Sequence, residues 1–135
     1  SGIKLMLRPI QNCKIAIIGL GYVGLPLAVE FAKKFPVVGY DIDQKRIGEL
    51  ISGRDNTLEV EDDLLKVVLS IENPKSGTTG LFPTFDSDAL DDCQIYIVTV
   101  PTPTDKHNRP VLTPMLKASE NIAKYLKKGD VVIYE

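Results

Sequence analysis

The sequence predicts a doubly wound α/β fold on a parallel sheet, and three observations predict it. Short apolar runs alternate with longer segments of helical period along the 135 residues. The first apolar run, Cys13 to Ile18, passes into glycines at 19, 21 and 24 and then into a helix-period pattern. The elements read β-α-β-α-α-β-α-β-α-β, which with right-handed crossovers gives five parallel strands ordered 3-2-1-4-5.

The stretch from Ile15 to Ala32 organises the rest. A strand rich in Ile ends in Gly19-Leu20-Gly21-Tyr22-Val23-Gly24, the spacing GxGxxG, and a helix follows directly. In that context each glycine has a task. Gly19 reverses the chain off the strand, Gly21 has no Cβ to hold a pyrophosphate away, and Gly24 brings the helix close to the sheet. The helix N-terminus then offers unpaired N–H groups, those of Tyr22 and Val23, to a diphosphate. Gly24, Ala28 and Ala32 make a small-residue face flanked by Leu27 and Phe31, and Pro26 predicts a late regular start or a slight bend.

Pro36 to Asp41 reads as a second strand ending in an acid, 22 residues beyond Gly19. A carboxylate there accepts hydrogen bonds from an adenosine ribose and repels a 2′-phosphate, which favours NAD over NADP. Asp43 caps a helix from about Gln44 to Ile51, closed by Gly53. Arg46 lies on its first turn, either stacking on adenine or touching ribose, or solvated at the surface.

Residues 53–59 are polar and turn-rich, and a short helix with acids at its start follows over residues 62–69. After a Gly-, Ser- and Thr-rich loop, Leu81 to Phe85 is a strand, and Asp86 caps one or two helical turns over Ser87 to Leu90. Gln94 to Val100 is nearly apolar and therefore a central strand. It runs into Pro101-Thr102-Pro103-Thr104, a turn that cannot continue a sheet. Ligands collect beyond the carboxyl ends of such strands, so Val100, Pro101, Thr102 and Thr104 should line the crevice of the glycine loop. A purely structural strand-ending turn is the alternative.

Thr113-Pro114 predicts a helix start, with Thr113 as cap. Met115, Ala118, Ile122 and Leu126 form its buried stripe, Lys127, Lys128 and Gly129 end it, and Val131 to Tyr134 is the fifth strand. A two-halved dinucleotide domain carries a sixth strand, so a truncated arrangement, the N-terminal piece of a longer chain spanning residues 1–135, is expected. Residues 3–11 lead into the first strand, and Ser1-Gly2 is compatible with a cloning remnant.

Composition narrows the function. At 44% hydrophobic and 25% charged the chain is an ordinary globular domain, and a net charge of −2 with scattered Lys and Arg argues against a nucleic-acid partner. No apolar run approaches ~20 residues and no signal-peptide pattern opens the chain, so a cytoplasmic protein with no membrane partner is expected. Cys13 and Cys93 read as small buried hydrophobes, without His or Cys neighbours at metal-ligand spacing. His107, in a polar loop, reads as solvated, so no catalytic residue and no metal ligand is assigned.

Ile17 to Ala28, then Gly39-Tyr40-Asp41-Ile42-Asp43, then Val98-Thr99-Val100-Pro101-Thr102-Pro103-Thr104 resemble the UDP-glucose/GDP-mannose dehydrogenase family. Arg46 to Glu59 and His107 to Glu135 look similar to its bacterial branch acting on UDP-N-acetylhexosamines, the Vi-polysaccharide and O-antigen type. The resemblance implies a Rossmann-type NAD-binding domain of an enzyme that oxidises the C6 hydroxyl of a UDP-sugar to a carboxylate with two NAD⁺. It implies that Gly19, Gly21, Tyr22, Val23 and Gly24 hold the pyrophosphate, Asp41 the ribose, and that Arg46 flanks adenine. Thr102 and Thr104 then line the nicotinamide side, and Pro101 stands where several relatives have Asn. In that family the catalytic cysteine, catalytic lysine, sugar-nucleotide domain and dimer helix lie downstream, so the resemblance implies a chain expected to bind cofactor without turnover and a full-length enzyme expected to be a homo-oligomer. Beside the bland reading of a structural α/β domain with no ligand, two rivals remain at this point. One is a non-catalytic NAD-sensing regulatory module. The other is an S-adenosylmethionine methyltransferase, whose usual GxGxG Val23 breaks.

Overall fold

A computed structural model describes residues 12–135, and the expected lead-in of residues 3–11 and the Ser1-Gly2 remnant lie outside the described residues. Five parallel strands form one sheet: β1 (Ile15–Ile18), β2 (Pro36–Tyr40), β3 (Gly80–Thr84), β4 (Ile95–Val98) and β5 (Val131–Tyr134). Their order across the sheet is β3-β2-β1-β4-β5, as the element order predicts. β1 sits at the centre, with Ile15 opposite both Val37 of β2 and Ile95 of β4. The crossover from β3 to β4 passes over β2 and β1, so chains leaving β1 and β4 part in opposite directions and open a crevice between them.

Two apolar layers follow from the alternation of β1. Ile15 and Ile17 face one side, where α1 (Gly24–Ala32), α2 (Gln44–Ile51) and α3 (Asp62–Val68) supply Leu25, Ala28, Ile47, Leu50 and Leu65. Ala16 and Ile18 face the other, covered by a 3-10 turn (Ser87–Leu90) and α4 (Thr113–Ala123) through Leu90, Ala118 and Ile122. Each fully buried Leu contributes about 1.5–3 kcal/mol, so both faces are committed to packing and the strand ends are left for a ligand.

Several boundaries differ from the sequence expectation, each for a local reason. The ladder of β1 starts at Ile15 rather than Cys13, because the Lys14 N–H donates to the Gln94 side chain at 2.7 Å. Lys14 is buried, its ammonium held by Asn73 and by Asp92 at 2.9 Å. Pro26 falls in the first turn of α1, where no N–H is required, so the helix has no late start. Thr113 is the first helical residue, not the cap. Leu112 already has helical φ/ψ and accepts from the Leu116 N–H, so the helix opens one residue earlier than its cap signal. α4 also ends at Ala123, leaving Leu126 exposed rather than in the buried stripe. The Asp130 carboxylate draws in the Lys127 N–H, and Gly129, at φ +92°, completes that turn.

Asp43 caps α2 as expected, accepting from the N–H groups of Lys45 and Arg46, and Gly53 closes it at φ +83°. Asp86 caps the 3-10 turn through the Asp88 N–H. Cys13 and Cys93 are buried. Burial pushes the Cys93 thiol up to about 12, against a smaller opposing pull from Lys14.

Candidate functional site

The site begins at Gly19, where β1 stops. Its N–H donates to the Tyr40 carbonyl, and its φ of +97° suits a residue without a Cβ. A Cβ there would also crowd the backbone of Thr99 and Val100 at 3.0–3.1 Å, so the chain leaving β4 abuts the glycine turn directly. Gly21 differs: a Cβ on it would meet nothing within 4 Å, and no packing reason accounts for it. At Gly24 a Cβ would overlap the Gly19 carbonyl oxygen and the Thr99 hydroxyl. The close approach at Gly24 is therefore to the turn and the end of β4, not to the sheet in general.

Beyond the turn, α1 opens without a side-chain cap. Its first hydrogen bond from the turn runs from the Leu25 N–H to the Gly21 carbonyl at 3.1 Å. Among the described residues, the N–H groups of Gly21, Tyr22, Val23 and Gly24 donate to no protein acceptor. Tyr22 and Val23 are exposed, so this run of donors meets solvent at the positive end of the helix dipole.

Asp41 stands one strand away. Its Oδ2 accepts from the Leu20 N–H at 2.9 Å and its Oδ1 from the Asp43 N–H at 3.0 Å. The carboxylate thus reaches the glycine turn itself and fixes the end of β2 against it.

Arg46 is not solvated: it is 8% exposed. Its Nε donates to the Leu20 carbonyl at 2.8 Å, and Nη1 donates to Glu49 at 2.7 Å and to Asp55 at 2.9 Å. The surface alternative is overturned, because the guanidinium edge is the buried partner of three acceptors. Asp55 is the hub of the following loop, accepting from Thr57 N–H and hydroxyl and from the N–H groups of Glu59 and Val60. Burial raises its carboxyl, but the Thr57 hydroxyl, Val60 amide and Arg46 outweigh burial and hold it at about 2.

The turn after β4 carries Val100, half-buried in the second apolar layer, and Pro101, Thr102 and Thr104, all exposed. Thr104 pairs antiparallel with Pro110, and Asp105 anchors the intervening tip through the N–H groups of His107 and Arg109. His107 is exposed, as expected.

Two residues of this site escape the sequence reading. Thr99, 9% exposed, donates its hydroxyl to the Gly19 carbonyl at 2.6 Å. Its signal is a hydroxyl inside an otherwise apolar strand run, which needs a buried partner. Asp55 is the other, hidden in a stretch whose polarity reads as solvated loop.

What the residues can hold is an anion against bare main chain, with a carboxylate beside it. A diphosphate and an adjoining diol fit that donor and acceptor set. Comparison with known proteins identifies the domain. Residues 13–135 match the NAD binding domain of the UDP-glucose/GDP-mannose dehydrogenase family. A UDP-N-acetyl-D-glucosamine 6-dehydrogenase of Pseudomonas aeruginosa is 54% identical over 93% of this chain, and one of Salmonella typhi is 45% identical over 93%. The solved UDP-D-ManNAc dehydrogenase of Pyrococcus horikoshii superposes on 90% of the chain with a TM-score of 0.79 at 36% identity, using 28% of its own length. The chain spans 27% of the length of those two curated relatives. The glycine turn and the carboxylate beside it thus sit in a Rossmann-type NAD-binding domain, and the chain belongs to the UDP-glucose/GDP-mannose dehydrogenase family.

Proposed function

We propose that this chain is the cofactor-binding part of a UDP-N-acetylhexosamine 6-dehydrogenase, an enzyme oxidising the sugar C6 hydroxyl to a carboxylate for surface-polysaccharide synthesis. The observation that carries the site is the run of four unpaired N–H groups from Gly21 to Gly24, beside the Asp41 carboxylate. The substrate class rests on the 54% and 45% identity to UDP-N-acetyl-D-glucosamine 6-dehydrogenases.

In this reading NAD, when bound, supplies the hydride acceptor. Gly19, Gly21, Tyr22, Val23 and Gly24 take the pyrophosphate, and Asp41 takes the adenosine ribose. Arg46, with its edge engaged, offers adenine only a face. Val100, Pro101, Thr102 and Thr104 border the nicotinamide side. The chain captures cofactor without oxidising a sugar, because neither cysteine is placed to attack a carbonyl: both are buried, and the Cys93 thiol is held protonated. The UDP-sugar contacts, a homo-oligomeric assembly and a cytoplasmic location belong to this proposal. Among the described residues no helix is long and apolar enough to cross a membrane.

Titration with NADH and NADPH, followed by nicotinamide fluorescence, tests the reading. Tighter binding of NADH is expected. Equal affinity for the two, or binding of neither, overturns it.

A further inference from the structure

Two carbonyls of the glycine turn are engaged by side chains rather than by the turn's own N–H groups. In an uninterrupted helix the Val23 N–H would donate to the Gly19 carbonyl and the Gly24 N–H to the Leu20 carbonyl. Neither bond forms. The Thr99 hydroxyl donates to Gly19 O at 2.6 Å, and Arg46 Nε donates to Leu20 O at 2.8 Å. Both side-chain donors are buried.

We propose that Thr99 and Arg46 are positioning residues of the pyrophosphate turn: each captures one turn carbonyl and so keeps the N–H groups of Val23 and Gly24 free for an anion. The proposal deepens the cofactor reading and rests on it for the identity of the anion. Neither side chain need touch that anion. A carbonyl left free would close another helical turn and consume the donor.

The surrounding structure is built to keep both in place. The Thr99 hydroxyl also lies 3.1 Å from the Ile18 carbonyl, but its single proton serves the nearer Gly19 oxygen. Gly24 is what admits that hydroxyl, since a Cβ would occupy its position. Arg46 is aimed by Asp55 and Glu49, which hold the far side of the fork while Nε faces Leu20. Asp55 in turn is fixed by three N–H groups of its own loop. The chain of contacts Asp55–Arg46–Leu20 therefore joins residues 53–60 to the cofactor turn.

Thr99→Val is the decisive variant, with Thr99→Ser as the conservative rescue. In competition with NADH, Thr99→Val should bind ADP-ribose about tenfold more weakly while binding adenosine within about twofold of the parent, and Thr99→Ser should restore the ADP-ribose affinity. Equal weakening of both ligands, or of neither, overturns the proposal. A second readout needs no ligand. Amide hydrogen exchange at Val23 should slow in Thr99→Val, and at Gly24 in Arg46→Lys, as each released carbonyl takes up its helical partner. General destabilisation would speed exchange instead. If the parent chain binds neither NADH nor ADP-ribose, the cofactor reading fails by itself. The exchange measurement then decides the positioning alone: slowed exchange upholds it, and unchanged or faster exchange overturns it.

Discussion

The hydroxyl of Thr99 donates to the carbonyl oxygen of Gly19 at 2.6 Å, joining residues 80 positions apart in sequence. That bond passes beside Gly24, whose missing side chain leaves the space for it. The third glycine of the fingerprint thus serves a specific polar contact as well as the packing of the helix.

Gly24→Ala should therefore be costly. Its methyl would collide with the Gly19 carbonyl, which is backbone, and with the Thr99 hydroxyl. A loss of about 2 kcal/mol or more is expected, seen as a fall of several degrees in Tm, together with weakened NADH binding. Gly21→Ala, which meets no neighbour within 4 Å, should leave Tm within about 1 °C and weaken NADH binding alone.

Asp41→Asn should loosen cofactor choice. The amide keeps an acceptor for the Leu20 N–H but loses the charge that repels a 2′-phosphate. The ratio of NADPH to NADH dissociation constants, measured by fluorescence titration, should shrink by about tenfold, mainly through tighter NADPH binding.

Acid should act on the Asp55 hub. Hydrogen bonds overcome burial and lower its carboxyl to about 2 from the usual 3.8. Because the folded value lies below the unfolded one, its stabilisation is fully present above pH 3.8 and is lost as pH falls toward 2. The contribution is about 2 kcal/mol. Tm of the parent chain should drop more steeply across this window than Tm of Asp55→Asn, which is already destabilised at neutral pH.

Cys93 should be chemically silent in the folded protein. With its thiol at about 12, only on the order of one molecule in ten thousand carries a thiolate at pH 8. Iodoacetamide should leave Cys93 unmodified in the native chain and alkylate it fully in denaturant, as read by peptide mass.

Leu58 gives a prediction of the opposite sign. It is 88% exposed and has φ +59°, a conformation unfavourable for a branched side chain. Leu58→Asn should raise stability by about 0.5–1 kcal/mol, measured by denaturant unfolding.

The fold and the outline of the site were legible because both are written in local pattern. The Ile-rich run ending at Gly19, the glycine spacing and the acid at 41 fix the strand, the turn and the crevice before any tertiary contact is known. Arg46 was visible as a cation near the site, yet its partner Asp55 was not, since a carboxylate in a polar loop looks solvated until the chain folds back on it. The role of Thr99 is hidden for a related reason: its acceptor lies 80 residues away. Helix ends went astray where side chains intervened. At the end of α4, the Asp130 carboxylate and Gly129 decide where the turn falls, whatever the apolar period suggests.

The contact of Asp55 with Arg46 carries one last consequence. Residues 53–60 are pinned by the Asp55 carboxylate, with Glu49 holding the Asn56 N–H, and such loop segments open at lower free energy than a five-stranded sheet. When that segment frays, the fork loses its aim at Leu20 while the sheet persists. In mild denaturant the domain should therefore lose its grip on the dinucleotide before its circular dichroism changes, so that NADH release senses a partial melting which bulk spectroscopy misses.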